Sequence, residues 1–305
     1  MNTKSAIIIA GPTAVGKTAL SFQLARHFQT EIISADSRQC YRELNIGVAK
    51  PTPLELQSVK HHFIDSHSIQ DQLTAASFEQ YALQKADDIF REHDKLIVTG
   101  GTGLYLKAFT SGFDAMPPVS PETRDIVRAV YLTEGLAGLR EKLINEDPVF
   151  SDSDELKNPQ RMMRALEFIR TTGTSIRNFQ RSVQAERPFR IINIGLELPR
   201  QALYDRINAR VDKMMEDGLL DEVKKLVPYK HLNALQTVGY RELFDYLDGK
   251  MSLEKAVDKI KQNTRHYAKR QLTWFKADSS IRWFDAGDTD SIVTYIETGF
   301  PVRPV

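Results

Sequence analysis

Gly11-Pro12-Thr13-Ala14-Val15-Gly16-Lys17-Thr18 stands between a short apolar run, Ala6 to Ala10, and a segment whose apolar residues Leu20, Leu24, Ala25 and Phe28 recur at helical spacing. The run is β-branched, fully apolar and stopped by glycine, which is the pattern of a strand buried on both faces of a parallel sheet. A strand, a GxxxxGKT loop and a helix in that order make a phosphate cradle. The two glycines let the backbone curl so that successive N–H groups face phosphate oxygens, and the helix N-terminus adds partial positive charge. Lys17 then reaches the phosphates and the Thr18 hydroxyl is placed to ligate Mg²⁺. A bare glycine turn would not demand this strand and helix around it. Residues 11 to 18 therefore predict a site for a di- or triphosphate.

Outward from the loop, Glu31 to Ser34, Lys95 to Thr99 and Arg190 to Glu197 read as further strands, and Ala75 to His93 as a helix. Strands alternating with helices predict an α/β fold with a P-loop NTPase-like parallel sheet core. After Gly112 the texture changes to helical patches, Pro121 to Leu132, Leu136 to Glu146 and Pro159 to Thr171. The expected organisation is residues 1–115 as the first part of the core, 116–188 as a helical insertion domain, and 189–305 as core completion with a helical C-terminal region.

The chain has 305 residues, 41 Lys plus Arg against 40 Asp plus Glu, and a single cysteine, Cys40. One cysteine excludes an internal disulfide scaffold and suits a reducing compartment. No run approaches the roughly 18 apolar residues of a membrane span, and the first residues lack a signal-peptide pattern, so a soluble, cytoplasmic protein is expected. The near-neutral balance hides uneven placement. Lys259 to Lys276 carries six Lys or Arg and no acid, interleaved with Tyr267, Trp274 and Phe275, and Asn158 to Arg187 holds six Arg against two acids. A basic face is often only a solvated surface, but two such stretches beside a phosphate site favour RNA, with aromatic rings for base stacking.

Three smaller features bear on chemistry. Asp36 lies just past the second strand, where ligands of open α/β sheets sit, and reads equally as a general base, a water-mediated Mg²⁺ partner or a helix N-cap. Gly100-Gly101-Thr102-Gly103 is a glycine turn at the same sheet edge. Arg206 and Arg210 share one helix face and suit a diphosphate clamp, the alternative being pairing with Asp205, Asp212 or Glu216. His61, His62 and His67 match no metal-ligand spacing and read as loop residues. No NKxD motif of GTPases occurs.

Taken together, GPTAVGKT, ISADSRQCYRELNIGVAKP, VTGGTGLYLKA, NPQRMMRALEF, RVDKMMEDGLLDEV, TVGYREL and TRHYAKRQLTWFK, spanning Gly11 to Lys276 in order, resemble the tRNA dimethylallyltransferases of bacterial type. The resemblance implies transfer of a dimethylallyl group from dimethylallyl diphosphate to N6 of the adenosine 3′ to the anticodon. It implies that residues 11 to 18 cradle the diphosphate, with Mg²⁺ on Thr18, that Asp36 accepts the N6 proton, and that Arg210 holds the diphosphate. It further implies that Asp36, Ser37, Arg38, Gln39, Thr102, Arg124, Gln160, Arg161, Met162, Met163 and Arg164 contact the tRNA anticodon stem-loop, with the helical insertion gripping it and the protein acting as a monomer. Arg38 and Met162 depart from the residues usual in the family, and the chain lacks the zinc-finger extension of some eukaryotic members.

Overall fold

Six short strands run parallel in one sheet: β1 Ser5–Ala10, β2 Ile32–Ser34, β3 His61–His62, β4 Lys95–Thr99, β5 Arg190–Glu197 and β6 Arg282–Asp285. They are ordered β3-β2-β4-β1-β5-β6 in the computed structural model, which describes residues 4–114, 116–151, 154–179 and 185–298. Central β1 is buried along its whole length and pairs on both sides, Ile7 lying opposite Ile97 of β4 and Ile192 of β5. Its period of two splits the core. Ile7 and Ile9 pack with Leu20, Leu24 and Ile207, whereas Ala6, Ile8 and Ala10 join Phe78, Leu96 and Phe109 on the other face.

Two edges of the sheet differ from the sequence expectation. His61 and His62 are not loop residues but form edge strand β3 beside β2, and His67 bridges to Tyr41. His62 hydrogen-bonds Glu31 at 2.5 Å, and His61 Nδ1 meets the Val59 carbonyl at 2.8 Å. The region after Arg190, expected to be helical beyond one strand, also contributes β6, paired to β5 from Ile194↔Arg282 to Glu197↔Asp285. Both strands are too short and too polar to carry a periodic signal; neighbouring strands supply the backbone bonds that hold them.

The chain divides into two units, Met1–Ser111 with Glu186–Val305, and Gly112–Ala185. In the second, Ser120 caps the helix Pro121–Glu146, which breaks at Gly135 (φ 67°, ψ −160°) between the two helical patches read from the sequence. Asn158 caps Pro159–Thr172, and Val127, Leu139, Leu143, Phe150, Met162, Leu166 and Phe168 form this unit's own core. Met162 is 0% exposed. Its side chain is core, which corrects its reading as an RNA contact; the helical period turns it inward while Arg161 is exposed. Residue 115, at the expected boundary, and Arg181 of the second basic stretch lie outside the described residues.

Candidate active site

The loops that leave the C-terminal ends of β1, β2 and β4 meet at one cleft, the position where parallel sheets of this kind hold ligands. After β1 the chain turns through Ala14 (φ 65°) and Gly16 (φ 118°) into the helix Lys17–His27. A side chain at Gly16 would be strained in that left-handed conformation, so glycine is what allows the loop to enter the helix here. Lys17 Nζ folds back onto the loop, donating to the carbonyls of Gly11 at 2.9 Å and Pro12 at 2.7 Å. Burial lowers its pKa from the ordinary lysine value to about 7; nearby Asp36 opposes the shift and Arg210 adds to it. Thr18 is exposed into the cleft.

The helix Arg200–Glu216 lays its two arginines along the loop. Arg206 donates to the Val15 carbonyl at 3.3 Å. Arg210 lines the cleft, accessible to solvent yet walled by enough protein that desolvation lowers its pKa. The intrahelical alternative is not realised. Asp212 pairs with Lys261 at 2.6 Å, Asp205 accepts from Gln201 at 2.9 Å, and among the described residues no acid pairs with either arginine.

Across the cleft, Asp36 Oδ1 accepts the backbone N–H of Arg38 at 2.8 Å and of Gln39 at 3.3 Å. It caps a turn rather than a helix, and its Oδ2 makes no hydrogen bond among the described residues. One oxygen of the carboxylate is thus spent on the cap, and the other is not. Thr102 Oγ1 accepts the Ser37 N–H at 3.1 Å and donates to the Ser37 hydroxyl at 3.3 Å, tying the glycine turn after β4 to the Asp36 turn. The two turns touch so closely that a methyl on Gly100 would run into the Ala35 backbone. Gly100→Ala is expected to destabilise the fold by about 1–3 kcal/mol, as overpacking does, which a drop in melting temperature reads out.

Gln39, expected at the RNA, is engaged within the fold. Its Oε1 accepts from Ser34 Oγ at 3.2 Å and its Nε2 donates to the carbonyls of Val48 at 3.2 Å and Ala49 at 3.1 Å. The same wall is held from behind by Glu222, which accepts the N–H groups of Asn45, Ile46 and Gly47 and the Tyr240 hydroxyl at 2.6 Å. The cleft so enclosed holds about 700 Å³. Lys17, Arg38, Lys50, Arg210, Arg241 and Arg270 line it against the acids Asp36 and Glu55. A chain neutral in total has an electropositive cleft.

The basic stretch after Lys259 lies on the helix Leu253–Lys276. Tyr267 and Trp274 are 37% and 43% exposed, so their rings are available for stacking, but Phe275 is only 3% exposed and belongs to the core. Burial, with Asp36 second, pushes the Tyr267 phenol up to about 12. Sequence reasoning missed Gln271 on this helix, 5% exposed, whose Oε1 accepts the Thr13 N–H and whose Nε2 donates to the Gly101 carbonyl, both at 2.8 Å. The signal was present: Ala256, Ile260, Ala268, Gln271 and Phe275 are this helix's buried stripe, and Gln271 is its one polar member. Glu222 was missed for want of any local signature.

In the helical unit, Arg124, Gln160 and Arg161 are exposed, Arg164 is half-buried, and Met163 packs partly buried against the core. Arg164 lies 3.9 Å from Glu167, whose carboxyl burial raises against the pull of Arg164 and Arg124. None of these residues is among those that line the cleft.

Comparison with known proteins agrees with this geometry. A family model described as IPP transferase matches residues 39–278. The tRNA dimethylallyltransferase 1 of Bacteroides thetaiotaomicron is 48% identical over 290 residues, covering 95% of this chain and 94% of that protein. The tRNA dimethylallyltransferase of Cytophaga hutchinsonii is 46% identical over 294 residues, 96% and 97% of the two chains. Among solved structures, the tRNA isopentenylpyrophosphate transferase of Bacillus halodurans superposes with a TM-score of 0.71 at 38% identity, covering 97% and 96%. A eukaryotic dimethylallyltransferase described as acting on tRNA superposes with a TM-score of 0.78 at 27% identity, covering 99% of this chain and 81% of that one. The match over residues 39–278 and near-complete coverage by relatives 46–48% identical make the chain a member of the IPP transferase family.

Proposed function

We propose that the chain transfers a dimethylallyl group from dimethylallyl diphosphate to N6 of adenosine 37 of tRNA, beside the anticodon, releasing diphosphate. The observation that carries the reading is the composition of the cleft: Lys17, Thr18 and Arg210 line it together with Asp36, whose Oδ2 makes no hydrogen bond among the described residues. The chemistry needs both kinds of group. The allylic C–O bond breaks as the N6–C bond forms, so negative charge grows on the leaving diphosphate while the attacking nitrogen becomes acidic. Backbone N–H groups of residues 14 to 18, Lys17 and Arg210 stabilise the diphosphate; Asp36 Oδ2 takes the N6 proton.

The donor set also suits magnesium. Thr18 offers a hydroxyl and Asp36 a carboxylate, and no group of three or more His, Cys, Asp or Glu able to hold a metal occurs among the described residues. Such sparse protein ligation fits Mg²⁺, which keeps most of its water and binds through substrate phosphates. When bound it would neutralise charge on the diphosphate.

Ser37, Arg38, Thr102 and the Lys259–Lys276 face are assigned to the anticodon loop, and Arg124, Gln160, Arg161 and Arg164 of the helical unit to its stem. An adenine in a loop costs only a few kcal/mol to unstack, which makes N6 reachable. The cleft is lined by one unit of one chain, so a monomer is sufficient. Among the described residues no helix is long and apolar enough to cross a membrane.

Incubation with unmodified tRNA, Mg²⁺ and labelled dimethylallyl diphosphate is expected to put label on N6 of adenosine; phosphoryl transfer from ATP with no label in tRNA would refute the reading. A small-molecule P-loop kinase would explain residues 11 to 18 alone and leave the basic helix face without a task. Binding of tRNA is expected to weaken steeply with salt, log K falling linearly with log salt as counterions are released. A titration that stays flat would remove the phosphate-contact assignment.

A further inference from the structure

The carboxamide of Gln271 joins two loops that line the same cleft, the P-loop after β1 and the glycine turn after β4. The P-loop presents an N–H at Thr13 and the turn after β4 presents a carbonyl at Gly101; Gln271 satisfies both at 2.8 Å while 5% exposed. The next residue of the turn, Thr102, holds the Ser37 N–H at 3.1 Å, and the Asp36 carboxylate caps the turn that Ser37 begins. A line of hydrogen bonds and short covalent links therefore runs from the diphosphate cradle to the carboxylate without passing through a substrate.

We propose that Gln271 is a positioning residue that sets the separation between the leaving diphosphate and the attacking base; the proposal rests on the prenyl-transfer reading above. The two loops demand one acceptor and one donor at the same place. A neutral carboxamide supplies both from one planar group. A lysine or arginine cannot accept from Thr13, and a carboxylate would set its second oxygen against the Gly101 carbonyl. Gly101 is part of the device: a Cβ there would strike the Gln271 amide nitrogen, so glycine is what lets the carbonyl come within bonding distance. Trp274, one turn further along the helix, packs its indole where a side chain on Gly103 would lie, so the helix grips the turn at two points. In-line transfer is sensitive to such spacing, because displacing a reacting group by about 1 Å costs on the order of 10²-fold in rate.

The test uses the full-length protein with tRNA and dimethylallyl diphosphate. The unaltered protein is assayed first; if no label enters tRNA, the prenyl-transfer reading fails before any variant is compared. If it is active, Gln271→Ala is expected to lower kcat about tenfold or more, with the KM for tRNA within about twofold, since a misplaced centre loses transition-state rather than ground-state stabilisation. Gln271→Met separates positioning from packing, because it keeps the length of the side chain while removing both the acceptor for Thr13 and the donor for Gly101. Its kcat should fall as far as that of Gln271→Ala, with the melting temperature closer to that of the unaltered protein. A Gln271→Ala variant within about twofold of normal kcat, or a Gln271→Met variant with normal kcat, overturns the proposal.

Discussion

Asp36→Asn is expected to lower the single-turnover rate of prenyl transfer by about 10²- to 10⁴-fold, the range lost when a positioned general base is removed. Asparagine isolates that effect. Its carbonyl oxygen can still accept the N–H groups that Asp36 Oδ1 accepts from Arg38 and Gln39, so the turn is kept while the basic oxygen is replaced by an amide. Asp36→Ala should lose the same catalysis and in addition about 1 kcal/mol of stability, the usual value of a lost side-chain cap. Rapid-quench measurement with prebound substrates reads the rate, and filter binding should show tRNA affinity changed no more than a few-fold, about what one lost contact costs. An Asp36→Asn variant at full speed would leave the carboxylate as a cap alone.

Lys17→Ala is expected to cost on the order of 10²- to 10³-fold in kcat/KM for dimethylallyl diphosphate, as losing one preorganised donor at a developing anion does. Lys17 also makes donor binding depend on pH. In the empty cleft desolvation holds its pKa at about 7, so above that pH most molecules carry it neutral. A bound diphosphate raises the pKa again, so binding takes up a proton and affinity should fall as pH rises above about 7. Calorimetry in buffers of different ionisation enthalpy reads that uptake directly, and the dependence should vanish in Lys17→Ala. The sign for folding is the opposite. Between about 7 and the ordinary lysine value of 10.5 the unfolded chain binds the extra proton, so this residue's contribution to stability rises with pH across that window. Uptake that persists in Lys17→Ala would assign the proton elsewhere.

The buried parts of the fold were the readable ones. β1, β4 and β5 announce themselves because a strand covered on both faces must be apolar throughout. Helix Pro159–Thr172 announces itself through its cap and its apolar period. β3 and β6 do not: two histidines and Arg-Trp-Phe-Asp have no periodic signal, and they become strands because β2 and β5 offer unpaired edges. Within the site, residues 11 to 18 were readable as a motif since a phosphate cradle is made by one continuous stretch of chain. Asp36 was readable only as a set of alternatives; the structure shows the cap, on a turn rather than a helix, and leaves the second oxygen without a hydrogen bond among the described residues. Gln39, Met162 and Phe275 show the limit of spacing arguments. Each lies in a stretch that reads as RNA-facing, yet one spends its carboxamide on Val48 and Ala49 and the other two are turned into cores.

The sequence by itself determined that a GxxxxGKT loop of the kind that cradles a di- or triphosphate joins a parallel-sheet strand to a helix at residues 11 to 18, and that basic and aromatic residues cluster after Lys259. Both are local: a loop cradle and a helix face are encoded by neighbours in the chain. Tertiary structure alone decided that Arg210, Asp36, Thr102 and Gln271 share one cleft, that Glu222 and Gln39 hold its wall, and that a chain of near-zero net charge concentrates six Lys or Arg residues there. The physical reason is that these contacts join residues distant in sequence, such as Thr13 with Gln271 and Ser37 with Thr102. No period or spacing along the chain encodes a hydrogen bond that exists only once strands and helices have been stacked.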